Sequence, residues 1–335
     1  MVRDSVIQTP DVTARVTQRD IADHLRISHA TVSLELRNHP RIPATPGEQI
    51  KQVADETGQQ PLPRPSLGWI NAWALPHELA EHPEYGGYWR GACEAACEMG
   101  YHLEEFQLHP ETTLKELERR LRAKAFCGLL LPPEGEPAVL NHFPWENYHV
   151  ISLSHRTAGP AMNLVGPDRV GNCSIAFDMM RQRGYHRIGF LTDRRPGTLD
   201  DKLSVVGFLS TQCELPEEEH LPVFTTTGCP LPRQLSQWVA CHRLDAVLTD
   251  LPEAALLLEQ AGFRIPQDLG LAFSCRSGIP NSAGIDCHPE EVGRIGVQML
   301  TKAIDGDLKL DPKVRVAVNG HWREGSTLPV VLKDG

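Results

Sequence analysis

The chain has 335 residues, of which 41% are hydrophobic, and it carries a net charge of −10. This length provides for a small domain and a body of two lobes. No stretch is apolar over the length that a bilayer requires, and the N-terminus lacks the apolar core of a signal peptide, so we expect no membrane association. The nine cysteines are an odd number without CxxC pairs, which is typical of reduced cytoplasmic thiols and predicts no metal site.

The charge is unevenly distributed along the chain. Residues 1–64 contain eight basic and eight acidic residues, so the remainder carries the whole net charge of −10. An acidic body would repel nucleic acid and leave any DNA contact to the N-terminal segment. Because phosphate neutralisation by Lys and Arg provides most nonspecific affinity, a neutral segment predicts modest nonspecific binding.

Residues 1–15 are interpreted as an N-terminal extension, and residues 16–58 have the pattern of three short helices. Thr17, Ser28 and Thr45 each stand at a helix start, where a hydroxyl can accept a hydrogen bond from a free backbone N–H. The tight corner at residues 26–28 predicts a helix-turn-helix, whose second helix can enter the major groove of DNA. The apolar faces of the helices comprise Ile21, Ala22 and Leu25, then Val32 and Leu36, then Ile50, Val53 and Ala54. A three-helix bundle that binds nothing would have the same spacing.

Residues 59–67 are interpreted as a linker. Pro61, Pro63 and Pro65 stand at alternate positions. Each lacks a backbone donor and biases the preceding residue to extended geometry, so a continuous helix is excluded. We expect a short, polyproline-like segment.

From residue 68 onward, apolar segments alternate with amphipathic helices. The predicted strands are Gly68–Leu75, His102–Phe106, Gly128–Leu131, Val150–Leu153, Arg187–Thr192, Ala246–Thr249 and Leu269–Ser274. The predicted helices include Trp89–Met99, Val170–Arg183 and Glu290–Ile304. Buried strands that alternate with helices indicate parallel sheets with right-handed crossovers.

The chain resembles the lac/galactose repressor family of bacterial transcription regulators. In the N-terminal segment the resemblance is carried by Val16-Thr17, Asp20-Ile21-Ala22, Ser28, Thr31-Val32-Ser33, Leu36 and Pro40-Arg41-Ile42. In the body it is thinner and is carried by His82-Pro83, Tyr85, Gly91, Asp168, Gly184-Tyr185-His186-Arg187-Ile188, Asp286, Pro289-Glu290-Glu291, Gly293 and Arg323-Glu324-Gly325-Ser326-Thr327.

The resemblance implies a fold and a function. The fold is an all-α helix-turn-helix head (residues 16–58) followed by a periplasmic-binding-protein-like α/β body (68–330) of two doubly wound parallel-sheet lobes. The expected lobes are residues 68–160 with 286–309, and 161–285 with 310–330. The function is that of a cytoplasmic, nucleoid-associated homodimer that binds a palindromic double-stranded operator as a repressor and responds to a small effector. Motifs of nucleotide-binding or hydrolytic enzymes are absent from the sequence, so we expect no enzymatic activity and no cofactor.

The resemblance also implies which residues contact DNA. His29, Ala30 and Leu34 occupy the base-reading positions. His29 can donate to guanine or, less specifically, to a phosphate, Ala30 can contact a thymine methyl, and Leu34 offers only apolar contact. The residues suited to phosphate oxygens or to clamping the backbone are Thr17, Ser28, Thr31, Ser33, Arg37, Asn38 and Arg41, with contact to a base edge as the alternative for the two arginines. Arg26 stands in the turn where the family usually has Gly, so a positive φ there would add strain. The family's hinge helix has no counterpart in the Pro-rich linker.

The positions that hold a sugar in the family fall on Ser204, Thr249, Asp250 and Cys275, of which only Asp250 retains the family's residue type. Without the bidentate Arg and the second carboxylate, the ligand is not a typical sugar, is held differently or is absent. Tyr85, Trp89 and Arg276 are further expected lining residues, with packing or surface roles as the alternative. A second hypothesis for the whole chain is a ligand-binding or oligomeric protein of the same fold with a degenerate DNA-reading head.

Overall fold

A computed structural model describes residues 18–28, 31–32, 49–50, 52–53, 65–73, 75–109, 111–133, 140, 143–155, 161–193, 200–226, 232–309 and 313–331. The chain divides into two compact units, one comprising residues 1–66 with 96–102 and the other residues 67–95 with 103–335. Among the helices in these described ranges, none combines the length and apolar composition that a membrane-spanning segment requires.

The N-terminal unit contains helix α1, Gln18–Leu25. The chain then turns at Arg26, whose φ of 54° is left-handed, as the turn position predicts. Helical geometry resumes at residues 31–32 and is found again at 49–50 and 52–53. The apolar faces pack together through Ile21, Ala22, Val32 and Ile50, with Leu25, Ile27 and Val53 partly buried around them. The complete three-helix arrangement extends beyond the described residues and stays a prediction.

The rest of the chain builds two six-stranded sheets. The strands of the first are β1 Ser66–Asn71, β2 His102–Gln107, β3 Gly128–Leu131, β4 Val150–Ser152, β5 Asn163–Pro167 and β11 Arg315–Val318, in the order β11-β5-β4-β3-β1-β2. The strands of the second are β6 Ile188–Asp193, β7 Phe224–Thr226, β8 Ala246–Thr249, β9 Gly270–Phe273, β10 Ala283–Asp286 and β12 His321–Arg323, in the order β12-β10-β9-β8-β6-β7. In the second sheet every pairing is parallel except β10 with β12.

Helices flank both sheets. They are α2 Pro76–Glu81, α3 Tyr85–Glu98, α4 Leu114–Lys124, α5 Arg169–Gln182, α6 Asp200–Gln212, α7 Pro232–His242, α8 Ala254–Gln260 and α9 Pro289–Ile304. Helix α9 packs on β3, β4 and β5, whereas α5 packs on α6, β9, β10 and β12. We call the first sheet with α2, α3, α4 and α9 the first lobe, and the second sheet with α5 to α8 the second lobe.

The chain passes between the lobes after β5, after β10 and after β11. Residues 163–167 and 315–318 therefore lie in the first sheet, whereas the sequence placed both segments in the second lobe. Neither segment was predicted as a strand. Residues 163–167 lack the apolar run of a central strand, although all five are buried, and residues 315–318 are mostly exposed or half-buried.

All seven predicted strands are present, and their bounds differ by a few residues at most. The largest difference is in β1, which ends at Asn71 rather than Leu75, because the Asn71 side-chain oxygen accepts a hydrogen bond from the backbone N–H of Trp73 (3.0 Å) and turns the chain. The three named helices are confirmed. Helix α3 begins at Tyr85, four residues before the predicted start, where His82 Nδ1 accepts a hydrogen bond from the Tyr85 N–H (3.2 Å).

Two glycines allow α3 and α9 to approach each other closely. A Cβ added at Gly91 would lie 1.8 Å from the Glu290 carbonyl oxygen, and one added at Gly293 would lie 1.9 Å from the Tyr88 carbonyl oxygen. Both glycines belong to the residues that carry the family resemblance, and their physical role is to bring the two helix backbones together. This packing sets the position of the loop that precedes α3.

Candidate ligand-binding cleft

A cleft lies between the two lobes, where loops and strand ends converge. In doubly wound sheets, ligands bind outside the carboxyl ends of parallel strands. The second lobe contributes Asp193 at the end of β6, Asp250 directly after β8 and Cys275 after β9. The described lining residues are His82, Pro83, Glu84 and Tyr85 from the first lobe, and Arg169, Asp193, Ser204, Asp250, Leu251, Pro252, Cys275 and Ser277 from the second.

A buried ion pair joins the lobes across this cleft. Arg169 Nη2 donates to Glu84 Oε1 at 2.6 Å, and the two side chains are only 8% and 9% exposed. The hydroxyl of Tyr88 donates to the same oxygen at 2.6 Å, and the Cys275 thiol donates to Glu84 Oε2 at 3.5 Å. Both oxygens of the carboxylate are thus engaged, as a buried charge requires.

Local structure places both partners of this pair. Arg169 is the first residue of α5, which begins there because the Asp168 carboxylate accepts a hydrogen bond from the Gly171 N–H (2.9 Å). Glu84 stands one residue before α3, where the His82 ring stacks on the Tyr85 ring with centroids 3.9 Å apart. The loop and the helix start are therefore both held by local contacts.

The environment of Tyr88 fixes its protonation state. Burial raises the pKa of Tyr88 well above its usual value, and the charge of Glu84 raises it further. The hydroxyl therefore keeps its proton and acts as a donor to the Glu84 carboxylate.

Two further carboxylates line the second-lobe wall of the cleft. Asp193 accepts a hydrogen bond from the Thr226 hydroxyl (2.6 Å), and Asp250 accepts one from the Thr192 hydroxyl (3.0 Å). With Glu84, the part of the lining that the structure describes has three carboxylates and one guanidinium, so among these residues acceptors outnumber cationic donors. Such a surface suits a ligand that offers hydrogen-bond donors or positive charge.

The space inside the cleft is small. Its cavity volume is about 50 Å³. That volume holds a few water molecules, since one water needs roughly 10–15 Å³, whereas small-molecule sites span about 300–1,000 Å³. Entry of an organic ligand therefore requires the lobes to separate or the Arg169–Glu84 pair to open.

The predicted effector residues divide into two groups. Tyr85, Ser204, Asp250 and Cys275 line the cleft. The other three, Thr249, Trp89 and Arg276, do not.

Thr249 is fully buried, and its hydroxyl donates to the Leu191 carbonyl (2.8 Å). Trp89 packs edge-on against Trp69 with centroids 5.2 Å apart. Arg276 lines a separate, open depression that also contains Asp286. Trp89 and Arg276 thus have the packing and surface roles that the sequence left open as the alternative, and Thr249 has a packing role that was not predicted.

Sequence reasoning missed Glu84, Arg169 and Asp193. Arg169 follows β5, a strand that was not predicted. Its position near the carboxyl end of a strand could therefore not be predicted either. Asp193 directly follows the predicted strand Arg187–Thr192, so the rule that ligands bind at the carboxyl ends of strands could have identified it. Glu84 lies within residues 82–85, which contribute to the family resemblance. The signal that could have identified it is a charged residue next to Pro83.

In the N-terminal unit, the structure describes two of the predicted DNA-contact residues. The Ser28 hydroxyl accepts a hydrogen bond from the Thr31 backbone N–H (3.0 Å), and the two hydroxyls lie 2.8 Å apart. Ser28 therefore occupies the predicted N-cap position at the start of a second helical segment. The others lie outside the described residues, namely Thr17, His29, Ala30, Ser33, Leu34, Arg37, Asn38 and Arg41. Most of the Pro-rich linker also lies outside them.

Two parallel-dominated α/β lobes joined by three crossings fit a periplasmic-binding-protein-like body. Many solved structures similar to this chain are LacI-family transcription regulators, which confirms the resemblance at the level of the fold. No protein-family profile matches the chain. No curated protein matches it either.

Three of these structures illustrate the likeness. The regulator CelR in complex with cellobiose is 17% identical, with a TM-score of 0.62 over 93% of this chain and 100% of its own. The lac repressor dimer, bound to operator and the anti-inducer ONPF, is 15% identical, with a TM-score of 0.61 over 94% of this chain and 100% of its own. CcpA of Lactococcus lactis is 13% identical, with a TM-score of 0.58 over 79% of this chain and 99% of its own.

Proposed function

We propose that this protein is a sequence-specific DNA-binding transcription regulator of the LacI type. It acts at the nucleoid as a homodimeric repressor on a palindromic operator, and it is not an enzyme. The observation that carries the proposal is that a two-lobed body with three crossings follows a segment with a Ser28-capped helix start after a left-handed turn at Arg26. The likeness to the lac repressor over 94% of this chain supports the same reading.

The proposed DNA interface is the second helix of the head. His29, Ala30 and Leu34 read base edges, and Arg37 and Arg41 contact the backbone. With two basic residues in each head, four phosphates are neutralised per dimer, so log K should fall with log salt with a slope of roughly −3 to −4. A neutral head predicts this weak dependence.

A dimer is needed to place two heads on one palindrome. A surface suited to a second copy is found on the paired helices α5 and α6 of the second lobe. Ile175, Val206 and Leu209 are 39%, 51% and 46% exposed there. Exposed apolar side chains on neighbouring helices are typical of association surfaces.

The proposed effector is a small ligand that offers hydrogen-bond donors or a positive charge to the carboxylates of the cleft. It would bind when the lobes separate, and the Arg169–Glu84 pair would compete with it for the same space. A ligand shifts a conformational equilibrium only as far as it binds the two states differently. Opening of this pair is the structural difference that an effector can use.

The experiment that tests the DNA-binding function is a pull-down of genomic fragments at two salt concentrations. The full chain is compared with a version that lacks residues 1–60. Enrichment of one palindromic site, lost on truncation and weakened by salt, is the expected result. Enrichment that is equal for the two proteins would exclude the head as the DNA-binding element.

The reading face is tested with variants. Arg41→Ala should weaken binding to the selected operator by at least tenfold, through loss of one phosphate contact in each head, two per dimer, and of their counterion release. His29→Ala should weaken binding to the operator more than binding to random DNA, because base contacts carry specificity. If neither variant changes operator affinity, the assignment of the second helix as the reading face is wrong.

The second candidate function is a ligand-binding protein with a degenerate head. The balance of eight basic and eight acidic residues in positions 1–64 favours it. Thermal unfolding with a panel of amines, neutral polyols and organic anions tests the body independently of DNA. A ligand that raises the melting temperature without being turned over, together with no enriched DNA fragment, would favour this second function.

A further inference from the structure

Three potential metal ligands meet beside the crossings between the lobes. Asp286 ends β10, His288 is the residue before α9, and His321 begins β12. Asp286 and His321 are directly opposite each other in the antiparallel β10–β12 pair, which places their side chains on the same face of the sheet. One ligand atom from each of the three residues lies within 4.8 Å of the other two.

The two imidazole rings face each other directly. His321 Nδ1 lies 2.6 Å from His288 Nε2, with ring centroids 4.5 Å apart. His288 Nδ1 lies 4.0 Å from Asp286 Oδ1, and that oxygen accepts a hydrogen bond from the His288 backbone N–H at 3.3 Å. The cluster is partly exposed, since the side chains of His288 and Asp286 are 39% and 32% exposed, so an ion can reach it from solvent.

The backbone of His288 is held in an unusual conformation. Its φ of 50° and ψ of 59° are left-handed, a region that residues other than Gly adopt uncommonly and in which Asn, Asp and His are the most frequent of them. The residue occupies the N-cap position of α9, yet its side chain makes no capping hydrogen bond. Helix capping therefore does not account for the position of the ring, which points instead to His321. Strained backbone of this kind is concentrated at binding and switch sites.

We propose that Asp286, His288 and His321 form a binding site for a divalent transition-metal ion, with Zn²⁺ as the best fit. Two imidazoles and one carboxylate are a recurrent three-ligand set that leaves one position for water or another ligand. At Zn–N distances of about 2.0–2.1 Å, ligand atoms of a tetrahedral site lie about 3.3 Å apart. The two ring nitrogens need to separate by about 0.7 Å, and the Asp286 oxygen, which lies within 4.8 Å of them, needs to approach by up to about 1.5 Å, so the side chains rotate when the ion binds.

One neighbouring cation competes for the carboxylate. Arg323 Nε lies 3.5 Å from Asp286 Oδ2, but the Arg323 side chain is 54% exposed and can move away. The contact uses Oδ2 and leaves Oδ1 on the side of His288. A metal ion and Arg323 would thus share one carboxylate, and removal of the guanidinium should strengthen metal binding.

The location gives the site a regulatory consequence. Asp286 and His288 lie at the crossing from β10 to α9, and His321 lies at the end of the crossing from β11 to β12. An ion held by all three side chains would tie two of the three crossings to each other. Lobe movement changes the relative positions of such segments, so the ion would favour one arrangement of the lobes. This inference does not depend on DNA binding.

The test is isothermal titration of the full-length protein with Zn²⁺ alone. His288→Asn keeps a residue type that tolerates left-handed geometry, and His321→Gln keeps the polarity of the ring position. His186→Gln is the matched control, because His186 is exposed and stands in the second lobe away from the cluster. Both cluster variants should weaken one site by at least tenfold, and the control should bind as the parent protein does.

The thiols of the chain require a second readout. Co²⁺ should give the visible absorption of a tetrahedral nitrogen and oxygen site without the near-ultraviolet band of a thiolate ligand. Unchanged Zn²⁺ affinity in either cluster variant would overturn the proposal. A thiolate band that persists in both variants would also overturn it, since the metal would then be held by cysteine. Metal-free melting curves of all variants establish that each is folded.

The link between the crossings has its own measurement. Zn²⁺ should slow amide hydrogen exchange both at residues 286–288 and at residues 319–322 in the parent protein. Protection of only the first segment would show that His321 does not share the ion, which would overturn the three-ligand site. Arg323→Gln should raise the affinity for Zn²⁺ severalfold, and an unchanged affinity would contradict the competition described above.

Discussion

Replacement of Arg169 by Met tests whether the buried ion pair holds the cleft together. The substitution removes the guanidinium and leaves the Glu84 carboxylate, which is 9% exposed, without the cation that lies 2.6 Å away. Removal of one partner of a buried pair typically costs about 3–5 kcal/mol. Glu84 retains its hydrogen bonds from Tyr88 and Cys275, so we expect the lower end, about 3 kcal/mol. For a body of this size, that loss corresponds to a fall in melting temperature of about 6–12 °C.

The assay is a double-mutant cycle measured by urea and thermal unfolding. Glu84→Gln alone should also destabilise the protein, because the Arg169 guanidinium then lacks its counter-charge. The double variant should be less destabilised than the sum of the two single variants, by about 1–3 kcal/mol. Arg122→Met is the matched control, since its partner is Glu118 in an exposed pair whose side chains are 71% and 33% exposed. Such exposed pairs contribute about 0.2–1 kcal/mol. If Arg169→Met falls within the range of the control, or if the cycle is additive, the pair does not stabilise the cleft.

Three further predictions concern packing, the head and thiol reactivity. Gly91→Ala places a Cβ 1.8 Å from a backbone oxygen of α9 and should destabilise the protein by about 3 kcal/mol. At the control position Gly166 the nearest atom would be 3.8 Å away, so Gly166→Ala should change stability by less than about 0.5 kcal/mol. Equal melting temperatures of the two variants would refute the close helix crossing. Ser28→Ala should destabilise the helix start by about 1 kcal/mol, because the backbone N–H of Thr31 loses its hydrogen-bond acceptor. The expected readout is faster amide hydrogen exchange near residues 31–32, and unchanged exchange would exclude capping by this hydroxyl. Burial, aided by neighbouring carboxylates, raises the pKa of Cys93 to about 11, so this thiol stays protonated at pH 8. It should be alkylated on the order of a hundredfold more slowly than exposed Cys241. Equal labelling of the two cysteines by mass spectrometry would contradict this.

The apolar runs of the sequence were sufficient to locate the central strands. β3 and β8 have the predicted bounds because Gly128–Leu131 and Ala246–Thr249 are buried along their whole length. Strands that lack such a run were missed. β11 has an exposed alternation, and β12 is the three-residue segment His-Trp-Arg, whose strand geometry depends on its partner β10. Local patterns contain no information about such partners.

The candidate site was predictable only in part, for a related reason. Asp250 and Cys275 follow predicted strands. Because ligands bind at the carboxyl ends of parallel strands, this position predicts both residues as site residues. Glu84 and Arg169 are 85 positions apart in sequence, and only the assembled lobes bring them into contact. The same holds for His288 and His321, whose spacing of 33 residues resembles no metal-binding motif.

The two late crossings have a consequence for synthesis of the chain on the ribosome. β5 is paired on one side by β11, and Leu164 donates its backbone hydrogen bond to the Val314 carbonyl (3.0 Å), so this edge stays open until some 150 further residues have been translated. In the same way, β10 has no partner on one side until β12 is translated, and one face of β3, β4 and β5 stays uncovered until α9 is translated. The first sheet therefore exposes an unpaired edge and an uncovered apolar face during a large part of translation, and the second sheet exposes an edge until its last strand is made. Nascent chains arrested before residue 313 should depend on chaperones to stay free of aggregates.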